Sequence, residues 1–150
     1  MIATLRRFFE TRIAPARDET HALHLAAAMV LLEVSRADFD IGDEELAVVA
    51  AALRERFGLD AEEVEELLAL ARRSSDEVVD LHPFLRLLVE HYSPEQRASV
   101  VQDLWRVAYA DSRLDKYEEY HIRRIADLLY VPHSAFIRAK LRAAQERGAD

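Results

Sequence analysis

Apolar residues along this chain recur at three- and four-residue intervals, and no stretch alternates in the two-residue rhythm of a strand, so the pattern predicts helices throughout. Met1–Ile13 gathers Ile2, Leu5, Phe8 and Phe9 and ends before Pro15, which describes a short amphipathic helix suited to capping a bundle. From about Glu19 to Ala37 the chain is helical and apolar on nearly every side between Leu23 and Val34, as a central, enclosed helix must be. Glu33 is the one acid in that stretch. An isolated buried charge is too costly, so it needs an exposed edge, a ligand or a cation, and Arg106 is a candidate partner.

Capping residues divide the remainder. A helix over Asp43–Phe57 stops at Gly58, a natural C-terminal cap, and Asp60 opens another to about Arg73, with Glu62 and Glu63 complementing its dipole. Ser74–Asp80 reads as a joint. Leu81–Tyr92 carries Pro83 in its first turn, which makes Asp80 the expected N-cap. Ser93-Pro94-Glu95-Gln96 is a capping box with proline in the first helical position and leads a helix to about Ala110. Asp115-Lys116-Tyr117-Glu118 is a second capping signature, at the head of Lys116–Tyr130. Pro132 then starts the last helix, followed by a polar tail from Gln145. Trp105, Tyr109, Phe84 and Tyr92 have helical spacing and are expected in the core.

One unit occurs twice. Ala37-Asp38-Phe39-Asp40-Ile41-Gly42-Asp43-Glu44-Glu45 returns as Ala110-Asp111-Ser112-Arg113-Leu114-Asp115-Lys116-Tyr117-Glu118, keeping Ala-Asp at the start, an aliphatic at the fifth place and Glu at the ninth. Further on, Phe57-Gly58-Leu59 with Val64 matches Tyr130-Val131 with Phe136 after a one-residue adjustment. A unit of this size does not bury its own apolar face, so the two copies are expected to pack together. The predicted fold is all-α, a bundle of seven or eight helices with pseudo-twofold internal duplication. Residues 1–18 form an N-terminal helix and linker, 19–143 the helical domain and 144–150 a tail. Within the domain, 19–73 is the first repeat, 74–92 the joining helix and 93–143 the second repeat.

Composition narrows the classes. A chain of 150 residues suits one domain that buries about 70% of the surface its unfolded form exposes. The absence of cysteine excludes disulfides, thiolate chemistry and sulfur-ligated zinc, and agrees with a reducing, cytoplasmic location. No apolar run approaches the length of a membrane span, and Arg6, Arg7, Glu10 and Arg12 interrupt any secretion signal. Only weak peripheral membrane contact through residues 1–13 remains open. A net charge of −8 argues against nucleic-acid binding. The charge is also unevenly spread: Asp38–Asp80 holds fourteen acidic and four basic residues, whereas His121–Arg147 holds two acidic and six basic. Such polarity steers encounters with cations or a charged partner protein.

If the copies pack together, Asp38, Glu45, Asp111 and Glu118 share one corner. Two like charges 4 Å apart repel by about 4 kcal/mol at an effective dielectric of 20, so four acids there want a cation, an arginine or a proton. A hard, oxygen-seeking divalent ion matches them, calcium first, with magnesium or manganese as alternatives. The arrangement is not an EF-hand. From Asp38 the glycine stands at the fifth place and Val49 at the twelfth, and from Asp111 the third place is Arg113. The same acids also fit a purely structural account, with Asp38 and Asp111 bonding turn amides and Asp115 with Glu118 forming a capping box. His21 and His24 stand one turn apart, His91 follows Glu90, and His82, His121 and His133 are scattered, with no HExxH arrangement. There is no P-loop, dinucleotide fingerprint or nucleophile elbow, so the chain reads as no enzyme.

These residues resemble the tellurite resistance TerB family. The resemblance rests on the twice-occurring Ala-Asp-x-x-aliphatic-x-x-x-Glu unit, preceded by Leu31-Leu32-Glu33-Val34 in one copy and Leu104-Trp105-Arg106-Val107 in the other. Leu81-His82-Pro83-Phe84, Glu90-His91-Tyr92-Ser93-Pro94-Glu95 and Tyr130-Val131-Pro132-His133-Ser134 are similar to words in bacterial single-domain members, and the similarity runs from about Thr20 to Arg142. Where the family's usual motif has Gly after each Asp, Phe39 and Ser112 stand here. The resemblance implies a duplicated all-helical domain, stress-response or tellurite-resistance related, whose acidic site binds a divalent cation in some members. Carried over, that site falls on Asp38, Glu45, Asp111 and Glu118. A related domain in membrane-linked J-domain co-chaperones implies an adaptor for a partner protein. The expected function is therefore a non-enzymatic interaction module with a calcium-type site. The alternative is a metal-free structural adaptor or co-chaperone-like interaction domain.

Overall fold

The apolar run of the first copy organises the molecule. The computed structural model describes residues 18–35, 42–77, 80–110 and 116–148. Among these are seven helices and no strand: α1 (Asp18–Ser35), α2 (Asp43–Phe57), α3 (Ala61–Glu77), α4 (His82–His91), α5 (Pro94–Tyr109), α6 (Lys116–Leu128) and α7 (His133–Gly148). The helix expected over residues 1–13 lies outside them. Residues 25–32 of α1 are all buried, because α2, α3, α4, α5 and α6 pack against α1. A helix covered on so many sides has no face left for polar residues.

The duplication is visible in the packing. α1 packs on the two helices that follow it, and α5 does the same with α6 and α7. The two leading helices pack on each other, and each also packs on the second helix of the opposite copy. α4 joins the copies and lies on α1. Trp105 fills the centre of the second copy, fully buried, with its ring 5.4 Å from that of Phe136 and 5.9 Å from that of Tyr109. Phe84 is buried, while Tyr92 and Tyr109 are half-buried against the core.

Helix ends follow the capping chemistry closely. The Gly42 carbonyl accepts the first bond of α2 from Leu46 N–H at 3.0 Å. Asp60 and Glu63 cap α3 reciprocally: Glu63 N–H donates to Asp60 Oδ1 at 2.8 Å and Asp60 N–H to Glu63 Oε1 at 3.1 Å. Ser93 and Gln96 form the same box at α5. Three ends differ from expectation. α3 runs through the supposed joint to Glu77, because Ala71 and Ser74, a turn apart, are both buried and extend its inner face. The N-cap of α4 is Leu81, and Asp80 instead accepts from His82 N–H at 3.0 Å. α7 continues through residues expected as tail to Gly148, held by buried Ala143 and by Glu146, which Arg106 and Gln102 grip.

The second helices of the two copies end alike. Gly58 follows α2 with φ 65°, and Tyr130 follows α6 with φ 58°. After α6, Tyr130 N–H donates to Asp127 O at 3.1 Å and Val131 N–H to Ala126 O at 2.9 Å, the double bond pattern of a Schellman turn. Gly58 and Tyr130 are therefore equivalent, with Leu59 and Val131 next in step. The one-residue difference between copies falls earlier, since Gly58 stands 13 positions after Glu45 and Tyr130 only 12 after Glu118. A left-handed conformation disfavours an L-residue by about 1–2 kcal/mol, partly offset by the entropy glycine adds to the unfolded chain, about 0.4–1 kcal/mol. Tyr130 is 74% exposed and packs little. Tyr130→Gly is expected to raise stability by about 0.5–1 kcal/mol and Gly58→Ala to lower it by about the same, as read from urea midpoints.

Candidate functional site

Glu45 and Glu118 stand in the first turns of α2 and α6, the same place in each copy. Both are buried, at 4% and 1% exposure, which is unusual for glutamate. The first turn favours them because their carboxylates meet the positive end of the helix dipole. Leu46 and Val49 on α2, and Ile122 on α6, draw these helix starts into the core. Asp38 and Asp111, the other half of the expected set, lie outside the described residues. Among the described residues no group of three or more His, Cys, Asp or Glu side chains could hold a metal ion. Glu45 and Glu118 lie on two helices that each pack against α1.

A second polar cluster went unnoticed in the sequence. Asp103 on α5 is 3% exposed and sits between two guanidinium groups. Arg56 Nη2 donates to its Oδ2, and Arg106 Nη1 donates to its Oδ1 at 2.7 Å. Arg106 also donates through Nε and Nη2 to the two carboxylate oxygens of Glu146, each at 2.7 Å. That bidentate contact holds the Arg106 pKa above and the Glu146 pKa below their ordinary values. The expected partnership of Arg106 with Glu33 is thereby replaced. Asp103 is one turn away on the same helix and Glu146 arrives on α7, so the guanidinium is committed there. Arg56 Nη2 additionally donates to Ser99 Oγ at 3.0 Å.

The network forms one wall of a cavity of about 460 Å³ between α1, α2 and α5. Across it lies His24, 9% exposed, its ring centroid 4.0 Å from that of Phe57. Burial, with the nearby His21 imidazole adding repulsion, pushes the His24 pKa down to about 4, so the ring is neutral at pH 7. Burial also raises the Tyr92 pKa, against the opposing influence of Arg56. The signals for this site were present: Gln96, Ser99, Asp103 and Arg106 recur at helical spacing, and His24 interrupts an apolar run. The other histidines lie away from the core: His21, His82, His91 and His133 are exposed and His121 is half-buried.

On the surface the two copies carry opposite charge. Glu44, Glu62 and Glu66 are exposed on α2 and α3, and Arg123, Arg138 and Arg142 on α6 and α7. No described helix is long and apolar enough to cross a membrane.

A duplicated all-α domain with matching buried glutamates is the class of protein these features define. The family model described as Tellurite resistance protein TerB matches residues 24–141, and the chain belongs to that family. It is thus a tellurite-resistance-related helical module. A crystal structure of a protein of unknown function from Porphyromonas gingivalis W83 shares the fold, with a TM-score of 0.60 and 22% identity, over 83% of this chain and 95% of that one. No functionally curated protein matches the chain.

Proposed function

We propose that the protein is a non-enzymatic, cytoplasmic interaction module in which Asp38, Glu45, Asp111 and Glu118 take up a divalent cation, calcium in preference to magnesium or manganese. The observation that carries this reading is the burial of both Glu45 and Glu118 at equivalent helix starts. Two carboxylates at equivalent helix starts offer the all-oxygen donors that a hard divalent cation prefers. Because α1 packs against both α2 and α6, an ion near these glutamates ties the copies together through a shared neighbour. The exposed acids of one copy and exposed bases of the other would then face a partner protein in a fixed relation.

Calcium titration followed by thermal unfolding tests this. At ten times the dissociation constant the folded state gains about 1.4 kcal/mol, which raises Tm by about 3–6 °C. Glu118→Gln is expected to abolish that rise. A Tm that stays constant with calcium, magnesium and manganese would leave a metal-free structural adaptor, with the glutamates serving only the helix starts.

A further inference from the structure

The cavity between α1, α2 and α5 contains none of the four candidate metal-binding acids, so its use is a separate question. Its walls differ in kind. Leu23, Phe57 and the uncharged His24 ring, tilted 38° to that of Phe57, make a largely apolar side. Gln96, Ser99 and Arg56 make the other, and there the acceptors are already engaged. Gln96 Oε1 accepts from Ser93 N–H at 2.8 Å, Ser99 Oγ accepts from Arg56, and both oxygens of Asp103 accept from arginines.

Donors are what this wall has left. Arg56 has five N–H groups; Ser99 and Asp103 take the two on Nη2, and those on Nη1 and Nε stand beside the Tyr92 hydroxyl. The Gln96 amide NH₂ and the Ser99 hydroxyl hydrogen add to these. A bound molecule must therefore bring acceptors. Its charge is limited as well, because Arg56 and Arg106 are balanced by Asp103 and Glu146, and exposed Glu55 stands among the lining residues. A doubly charged phosphate is poorly matched, whereas a single carboxylate can take the Arg56 N–H groups left on Nη1 and Nε, beside the Ser99 hydroxyl and the Gln96 amide.

We propose that this cavity binds a small planar aromatic carboxylate, with the carboxylate on Arg56, Gln96 and Ser99 and the ring between Leu23 and the Phe57–His24 pair. The volume is within the range of small-molecule sites. The site is independent of any ion at Glu45 and Glu118.

Benzoate is the probe, titrated into the isotopically labelled full chain and followed by amide chemical shifts. Saturable shifts at Arg56, Gln96 and Ser99 are expected, with ring-to-ring magnetisation transfer from benzoate to Phe57. Benzylamine, of the same shape and opposite charge, is expected to produce neither. Arg56→Lys keeps a cation beside Asp103 but removes the planar donors, and is expected to weaken benzoate about tenfold, or 1.4 kcal/mol. Non-saturable shifts, shifts confined to the exposed arginines of α6 and α7, equal binding of benzylamine, or undiminished affinity in Arg56→Lys would each overturn the proposal. Should Arg56→Lys fail to fold, transfer to Phe57 in the unaltered chain decides the matter.

Discussion

Asp103→Ala is expected to destabilise the protein by about 3–5 kcal/mol, the range for breaking a buried ion pair from one side. The carboxylate is almost wholly removed from water and meets Arg56, whose side chain is itself only 13% exposed. Arg106 retains Glu146 after the substitution, but Arg56 is left as a nearly buried cation with Ser99 and Tyr92 for company. Urea unfolding would report the change as a lower midpoint with an unaltered slope. Replacing both members, Asp103→Leu with Arg56→Met, is expected to cost less than Asp103→Ala alone, since an apolar pair of similar volume leaves no charge behind. The corresponding place in the first copy is held by buried Val30. A single substitution that proved harmless would mean that Arg56 reaches water without Asp103.

Acid is expected to weaken the fold through His24. In the unfolded chain this imidazole titrates near 6.5, and in the folded protein near 4, so between those values the unfolded state binds more protons. The contribution is fully present above pH 6.5 and is lost as pH falls toward 4, a difference of about 2–3 kcal/mol after allowance for partial solvation. Protonation places a cation against the Phe57 ring in a buried position with His21 one turn away. Unfolding free energies of the natural chain and of His24→Leu at pH 7 and at about pH 4 separate this effect from general acid denaturation. The substituted chain should lose markedly less stability over the interval. Equal losses would assign the acid sensitivity to other groups.

Much of this architecture is legible in the residues, and for local reasons. Gly58, the Asp60–Glu63 pair and the Ser93–Gln96 box each act within four residues, so helix ends can be placed from short stretches of sequence. Long-range packing is what short stretches do not carry. Ser74 looks like a linker residue until the packing of α3 buries it, and Glu146 looks like part of a polar tail until Arg106, 40 residues earlier, grips it. Asp103 reads as one member of a solvated stripe on α5, because its partner Arg56 lies 47 residues away. His24 is hidden in the same way by Phe57. Of the candidate ion site, the duplicated motif identified Glu45 and Glu118, and the structure adds their burial, which no motif states. Asp38 and Asp111 stand outside the described residues.

The crossed packing of the copies has a consequence for how the molecule comes apart. Since α1 is covered partly by α6 and α5 partly by α2, peeling either half away uncovers apolar surface on both. The halves are interlocked like clasped hands, and neither keeps a closed interior when the other opens. Melting of one half should therefore propagate into the other as a single cooperative transition, so a disturbance at one helix junction is felt across the whole molecule.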